Sequence, residues 1–110
     1  MSNHLDGLPS SIRIGPYDIA IAVKDRINDD DDVGEYNHGQ SICLRTNQYN
    51  PMFAVDTVLH EVGHALYKCS GLDDGSSEES VITALASGWT QVFRDNPELL
   101  SWLYRMMPPR

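Results

Sequence analysis

Hydrophobic and polar positions change their period along this chain, and the changes fall at turn residues. Ile12 and Ile14, then Ile19, Ile21 and Val23, alternate with polar or small residues, the pattern of strands that bury one face. Gly15-Pro16 separates the two runs, so residues 11–14 and 17–23 predict two strands joined by a tight turn. A third strand is expected at residues 40–45, Gln40-Ser41-Ile42-Cys43-Leu44-Arg45. From Asn50 the period becomes helical: Val55, Val58, Leu59, Val62, Ala65, Leu66 and Cys69 recur three or four apart and form one apolar stripe. Asn50 supplies a capping oxygen, Pro51 fits the first helical position, where no N–H is needed, and Gly71 marks the stop.

A second helix is expected over residues 75–93, with Val81, Ile82, Leu85, Trp89, Val92 and Phe93 as its stripe. Ser76-x-x-Glu79 matches a capping box at its start. Asn96-Pro97 repeats the helix-start signal, and Leu99, Leu100, Trp102, Leu103, Met106 and Met107 form an apolar face before Pro108-Pro109. Trp102 and the Met pair either close the domain's own core or meet a partner. These elements predict an α+β fold: a three-stranded sheet packed on two longer helices, plus a short C-terminal helix. A chain of 110 residues makes one domain, here 1–110 with a core of about residues 12–105, too short for a separate substrate-reading domain.

The candidate chemistry lies in the first helix. His60-Glu61-Val62-Gly63-His64 puts two imidazoles one turn apart on one face, where they can converge on a tetrahedral Zn²⁺ with Glu61 beside the metal's open position. Histidine is scarce, with 4 in the chain, so its use at this spacing is informative. By angle the pair lies opposite the apolar stripe, together with Phe53, Thr57 and Tyr67, which predicts a helix that buries one face and lines a cleft with the other.

A hydrolytic zinc site usually carries three protein ligands. Stepping back along the second helix places Glu78 near the middle of its stripe and Glu79 off it, so Glu78 is the third-ligand candidate. Glu79 is the alternative, with Thr83 one turn on to orient it. Ordinary first-turn acidity, favoured by the helix dipole, also accounts for both glutamates. Tyr36 and His38, in the segment before the third strand, and Tyr67, one turn after His64, are candidates for oxyanion or substrate contacts.

His60-Glu61-x-x-His64 followed by a glutamate on the next helix resembles the zincin metallopeptidases, in their glutamate-ligand branch. The compact size, the strand before the motif helix and the run 78–85 are similar to small ImmA/IrrE-like and phage-encoded metallopeptidase-like proteins. The interval from His64 to Glu78 is short for the larger members of that branch. The resemblance implies a zincin-like fold with one Zn²⁺ per chain held by His60, His64 and Glu78. It also implies peptide-bond hydrolysis with Glu61 as general base, and pairing of the substrate with the strand before the motif helix, here residues 40–45.

Composition narrows the partners. A net charge of −8, with Lys+Arg 8 against Asp+Glu 16, disfavours nucleic acid, whose phosphates require clustered cations. It also counts against a DNA-linked protease of the SprT type, which would need a histidine after His64. No apolar run reaches membrane-spanning length and no signal-peptide pattern opens the chain, so a cytoplasmic protein is expected, in the host cytoplasm if phage-encoded. Cys43 and Cys69 read as reduced, partly buried thiols. The acidic run Asn28-Asp29-Asp30-Asp31-Asp32 reads as a solvated loop, since it lacks the spaced ligands and glycine of a calcium loop.

Two other readings stay open. In the first, the chain is a non-catalytic zinc-binding phage accessory or interaction protein with a degenerate peptidase fold, its zinc closed by a fourth ligand such as His38. In the second it is a deformylase-like amide hydrolase using Cys43 as the upstream ligand, although the glycine-rich context of that family is absent.

Overall fold

The computed structural model describes residues 4–25, 34–37 and 41–109. Asn28–Asp32, His38 and Gln40, to which the sequence assigns roles, lie outside the described residues. Elements follow in the order β1 (Ser11–Ile14), β2 (Tyr17–Lys24), β3 (Gly34–Asn37), β4 (Ser41–Arg45), α1 (Pro51–Cys69), α2 (Glu78–Asp95) and α3 (Pro97–Met106).

The sheet is mixed and, among the described residues, has four strands in the order β1-β2-β4-β3 rather than the three expected. β1 and β2 form the antiparallel hairpin across Gly15-Pro16, with Ile12 opposite Ile19, and Gly15 adopts φ 56° in the turn. β2 pairs parallel with β4, Ile21 opposite Ile42. β3 pairs antiparallel with β4, Tyr36 opposite Ile42. The additional strand is Gly-Glu-Tyr-Asn, too short and too polar to show a period of its own. Only its pairing with β4 makes it a strand.

This placement also corrects the assignment of residues 40–45 as the substrate-pairing edge. β4 is paired on both sides, so its backbone groups are taken, and among the described residues the last strand on that side of the sheet is β3. At the other end, β1 is closed by side-chain amides. Asn96 Oδ1 accepts from the Arg13 N–H at 2.7 Å and its Nδ2 donates to the Arg13 carbonyl at 2.9 Å. Gln91 Oε1 accepts from the Gly15 N–H and its Nε2 donates to the Arg13 carbonyl, both at 3.0 Å.

The α1 boundaries are those its caps predict. The Asn50 side chain accepts from the Phe53 N–H, Pro51 opens the helix, and Gly71 follows the last turn at φ 72°. Val55, Val58, Val62, Ala65 and Leu66 are buried against the sheet and the other helices, and Leu59 and Cys69 pack at the margin. In α3, Leu99, Trp102 and Leu103 are buried, so Trp102 closes the domain's own core.

α2 departs from its reading at the N-terminal end. It starts at Glu78, three residues later than expected, and its cap is Ser77, whose hydroxyl accepts from the Ser80 N–H. The Ser76–Glu79 capping box is not formed: Ser76 Oγ accepts from the Asp73 N–H in the preceding turn. Leu85, Trp89, Phe93 and the buried Val92 pack on the core, whereas Ile82 is 54% exposed. The first turns of α2 therefore project past the core, and periodicity there has nothing to bury against.

The two long helices approach closely. A Cβ on Gly88 would lie 2.7 Å from Leu66 Cδ2, so a larger residue there would have to displace that side chain, whereas a Cβ on Gly63 would meet Trp89 Cζ2 at 3.9 Å, an ordinary contact. Gly63→Ala is therefore expected to stabilise the protein by about 0.5–1 kcal/mol, the helix-propensity difference, in urea unfolding. A destabilised variant would show that the motif needs glycine for more than space.

Candidate metal centre

Helical geometry brings the two motif histidines together. Nε2 of His60 and Nε2 of His64 lie 3.1 Å apart, with ring centroids separated by 4.7 Å and planes at 78°. Both rings are exposed, so no packing forces them together. Two imidazolium rings would oppose N–H to N–H at that distance. The pair therefore suits either one N–H donating to the other ring's lone pair, or two lone pairs turned to one cation. Zn–N arms of about 2.0–2.1 Å at a tetrahedral angle set the nitrogens roughly 3.3 Å apart, within a few tenths of an ångström of the spacing here. The donor pair fits a zinc ion.

Glu61 takes a different position from its neighbours. It is only 6% exposed, because β3 lies over that flank of α1. A Cβ on Gly34 would stand 2.9 Å from Thr57 Cγ2, 3.1 Å from Glu61 Cγ and 3.2 Å from Leu44 Cδ2. Glycine lets the strand backbone rest directly on the glutamate, and Thr57, expected on the open face, is buried with it at 5% exposure. Gly34→Ala is expected to cost about 1–3 kcal/mol, since three buried neighbours would have to yield at once. Full stability in thermal unfolding would show that β3 moves freely over α1.

Together β3 and α1 bound a cleft of about 340 Å³, lined by Gly34, Glu35 and Tyr36 from the strand and by His60, Glu61, His64, Tyr67 and Lys68 from the helix. The contribution of β3 is not visible in the sequence beyond the position of Tyr36. Tyr36 reaches across to Cys69, the last residue of α1, with its hydroxyl hydrogen-bonded to the thiol. Burial, and then the thiol, hold the Tyr36 hydroxyl above the usual phenol range, and burial pushes the Cys69 thiol up. Both groups are thus neutral near pH 7.

Glu78 and Glu79 are not brought to the histidine pair. Both are exposed on the first turn of α2 and neither lines the cleft. Trp89 is the α2 residue whose ring reaches Gly63, between the histidines. Glu78 lies eleven residues before it, about 16 Å along the helix axis. Thr83 Oγ1 does meet Glu79 Oε1, at 3.5 Å. Cys43 is buried on β4, where strand alternation turns it to the face opposite Leu44 and hence away from Glu61. Among the described residues, no group of three or more His, Cys, Asp and Glu side chains is placed to hold a metal. No helix among them is long and apolar enough to cross a membrane. No protein-family model matches this chain, and no curated protein or solved structure matches it.

Proposed function

We propose that this chain is a zinc-dependent metallopeptidase in which His60 and His64 hold the metal and Glu61 is the general base. The reading is carried by one observation: two imidazole nitrogens converge to 3.1 Å on the wall of a cleft whose adjoining residue is a buried glutamate. When bound, zinc supplies a Lewis acid for a carbonyl oxygen and a water that loses its proton near neutrality. In that chemistry Glu61 would accept a proton from the attacking water and return it to the leaving amine. Burial beneath β3 limits the rotamers of Glu61, which lines the same cleft as the pair. Tyr67, which lines the cleft, is the better-placed oxyanion donor, because the Tyr36 hydroxyl is engaged by Cys69.

Glu78 is the proposed third ligand and Glu79 its alternative; since both sit away from the pair, either would have to approach it for the set to close. Their position favours a second reading, a non-catalytic zinc-binding protein that uses the same histidines to bind a partner. Metal analysis with zinc-edge X-ray absorption on the wild type, His60→Ala, His64→Ala, Glu78→Gln and Glu79→Gln tests both. Zinc lost from the histidine variants, with oxygen and an exchangeable water in the wild-type shell, supports the peptidase, and a change in one glutamate variant identifies the third ligand. Four protein donors and no water support the binding protein. Sulfur in the shell would point to Cys43, and zinc retained by both histidine variants would overturn the site.

A further inference from the structure

Lys68 stands on the same line of α1 as the motif histidines. His60, His64 and Lys68 follow one another at four-residue steps, each about 6 Å along the axis and about 40° around it, so all three fall in one sector of the helix. Lys68 lines the cleft with the two histidines. Long side chains on a helix lean back toward its N-terminus, over the residue four positions earlier, which for Lys68 is His64.

The fold does not account for the charge of Lys68. The chain carries Asp+Glu 16 against Lys+Arg 8, and its two lysines are Lys68 and Lys24, the last residue of β2. No ion pair among the described residues involves Lys68. A cation in the last turn of a helix is favoured by the helix dipole, but the dipole acts on the whole turn and does not select the position that faces the cleft. The carboxylates among the described residues of the cleft wall are Glu61, buried beneath β3, and Glu35, which is itself partnered. Lys68 is the one lysine or arginine among them.

We infer that Lys68 is a specificity-determining residue of the cleft, whose ammonium receives a carboxylate of a peptide substrate close to the bond at the histidine pair. This rests on the proposed reading of the cleft and names the substrate class. The turn from His64 to Lys68 spans about 6 Å and extended chain advances about 3.3 Å per residue, so the carboxylate falls within about two residues of that bond. An ammonium in a cleft favours an anionic occupant, because a neutral one displaces its water without replacing the charge-assisted hydrogen bonds. In a peptide that anion is the C-terminal carboxylate or an Asp or Glu side chain. Three donors on a flexible stem suit both sources.

The test is calorimetric titration of the zinc-loaded protein, at low salt, with succinyl hydroxamates whose hydroxamate takes the metal. One pair carries alanine as the free acid or as the amide, which offers or removes a C-terminal carboxylate. A second pair carries glutamic acid amide or glutamine amide, which does the same for a side-chain carboxylate. In at least one pair the acid is expected to bind about fivefold more tightly than its neutral counterpart, the upper end for a partly exposed ion pair, with the preference fading at high salt. A preference in the alanine pair identifies a C-terminal carboxylate, and one in the glutamic acid pair an acidic side chain. Lys68→Gln, at an exposed position where glutamine suits a helix, is expected to bring the ratio near one, whereas Lys24→Gln, the same charge change away from the cleft, leaves it intact. Equal affinity of acid and neutral probe in both pairs, or a preference that survives Lys68→Gln, overturns the role of Lys68, while binding of the hydroxamates keeps the metal reading in place. Failure of every hydroxamate to bind overturns the metal reading and this inference with it.

Discussion

Glu61→Gln is expected to lower peptide hydrolysis by about 10²–10⁴-fold, the usual contribution of a general base, while the zinc content stays unchanged. The two side chains are nearly isosteric, so the glutamine fits the space beneath β3 that leaves Glu61 only 6% exposed. What it lacks is a site to accept a proton. Quenched-fluorescent peptide mixtures measure the turnover and elemental analysis the metal. Turnover at the wild-type rate would remove Glu61 from the mechanism, and loss of zinc would make it a ligand. Peptides left intact by wild-type protein that nevertheless carries zinc on His60 and His64 would favour the binding-protein reading.

Asn96→Ala is expected to give the largest loss of stability, about 2–4 kcal/mol, with Tm lower by roughly 10–20 °C. This amide joins α2, α3 and β1. Its Oδ1 accepts from the Arg13 N–H, and its Nδ2 donates to the carbonyls of Arg13 and, at 2.7 Å, Val92. Asn96 is 9% exposed, so water cannot readily replace the amide, and the orphaned backbone groups carry a desolvation penalty as well as lost bonds. Against a total stability of about 5–15 kcal/mol for a domain, that is a large fraction. Asn96→Asp is expected to be as damaging at neutral pH, since a carboxylate would face two carbonyl oxygens. A loss below 1 kcal/mol in either variant would show that Gln91 alone closes the β1 edge.

Features set by near neighbours in the chain were legible before any packing was known. The cap of Asn50 on Phe53, the first-turn proline and Gly71 delimit α1, and the four-residue interval of His60 and His64 places them on one face whatever surrounds the helix. β1, β2 and most of β4 were similarly visible, because isoleucines alternate along the first two and Ile42-Cys43-Leu44 is a short apolar run. Asn96 was legible as a helix-start residue, but its amide's grip on β1, 83 residues away in sequence, was not.

Three features of the candidate site depended on tertiary contacts. Thr57 read as open-face because it shares an angular sector with the histidines, yet β3 covers it, and β3 exists only through its ladder with β4. Glu78 read as inward-facing because a periodic stripe was extended into turns of α2 that meet no core. Residues 40–45 were given the edge role by resemblance alone, and which strands flank them is unknown until the sheet is assembled.

The sequence by itself determined the chemical identity of the candidate centre: two imidazoles one helical turn apart with a glutamate between them, on a helix whose ends its own side chains cap. Tertiary structure alone decided that Glu61 is buried while the histidines are open, and that the cleft's second wall is the short strand β3, which carries Gly34 and Tyr36. Helical periodicity acts over a few residues and needs no partner. Burial and edge position depend on which distant segment packs alongside, and here a four-residue strand without a period of its own supplies that segment.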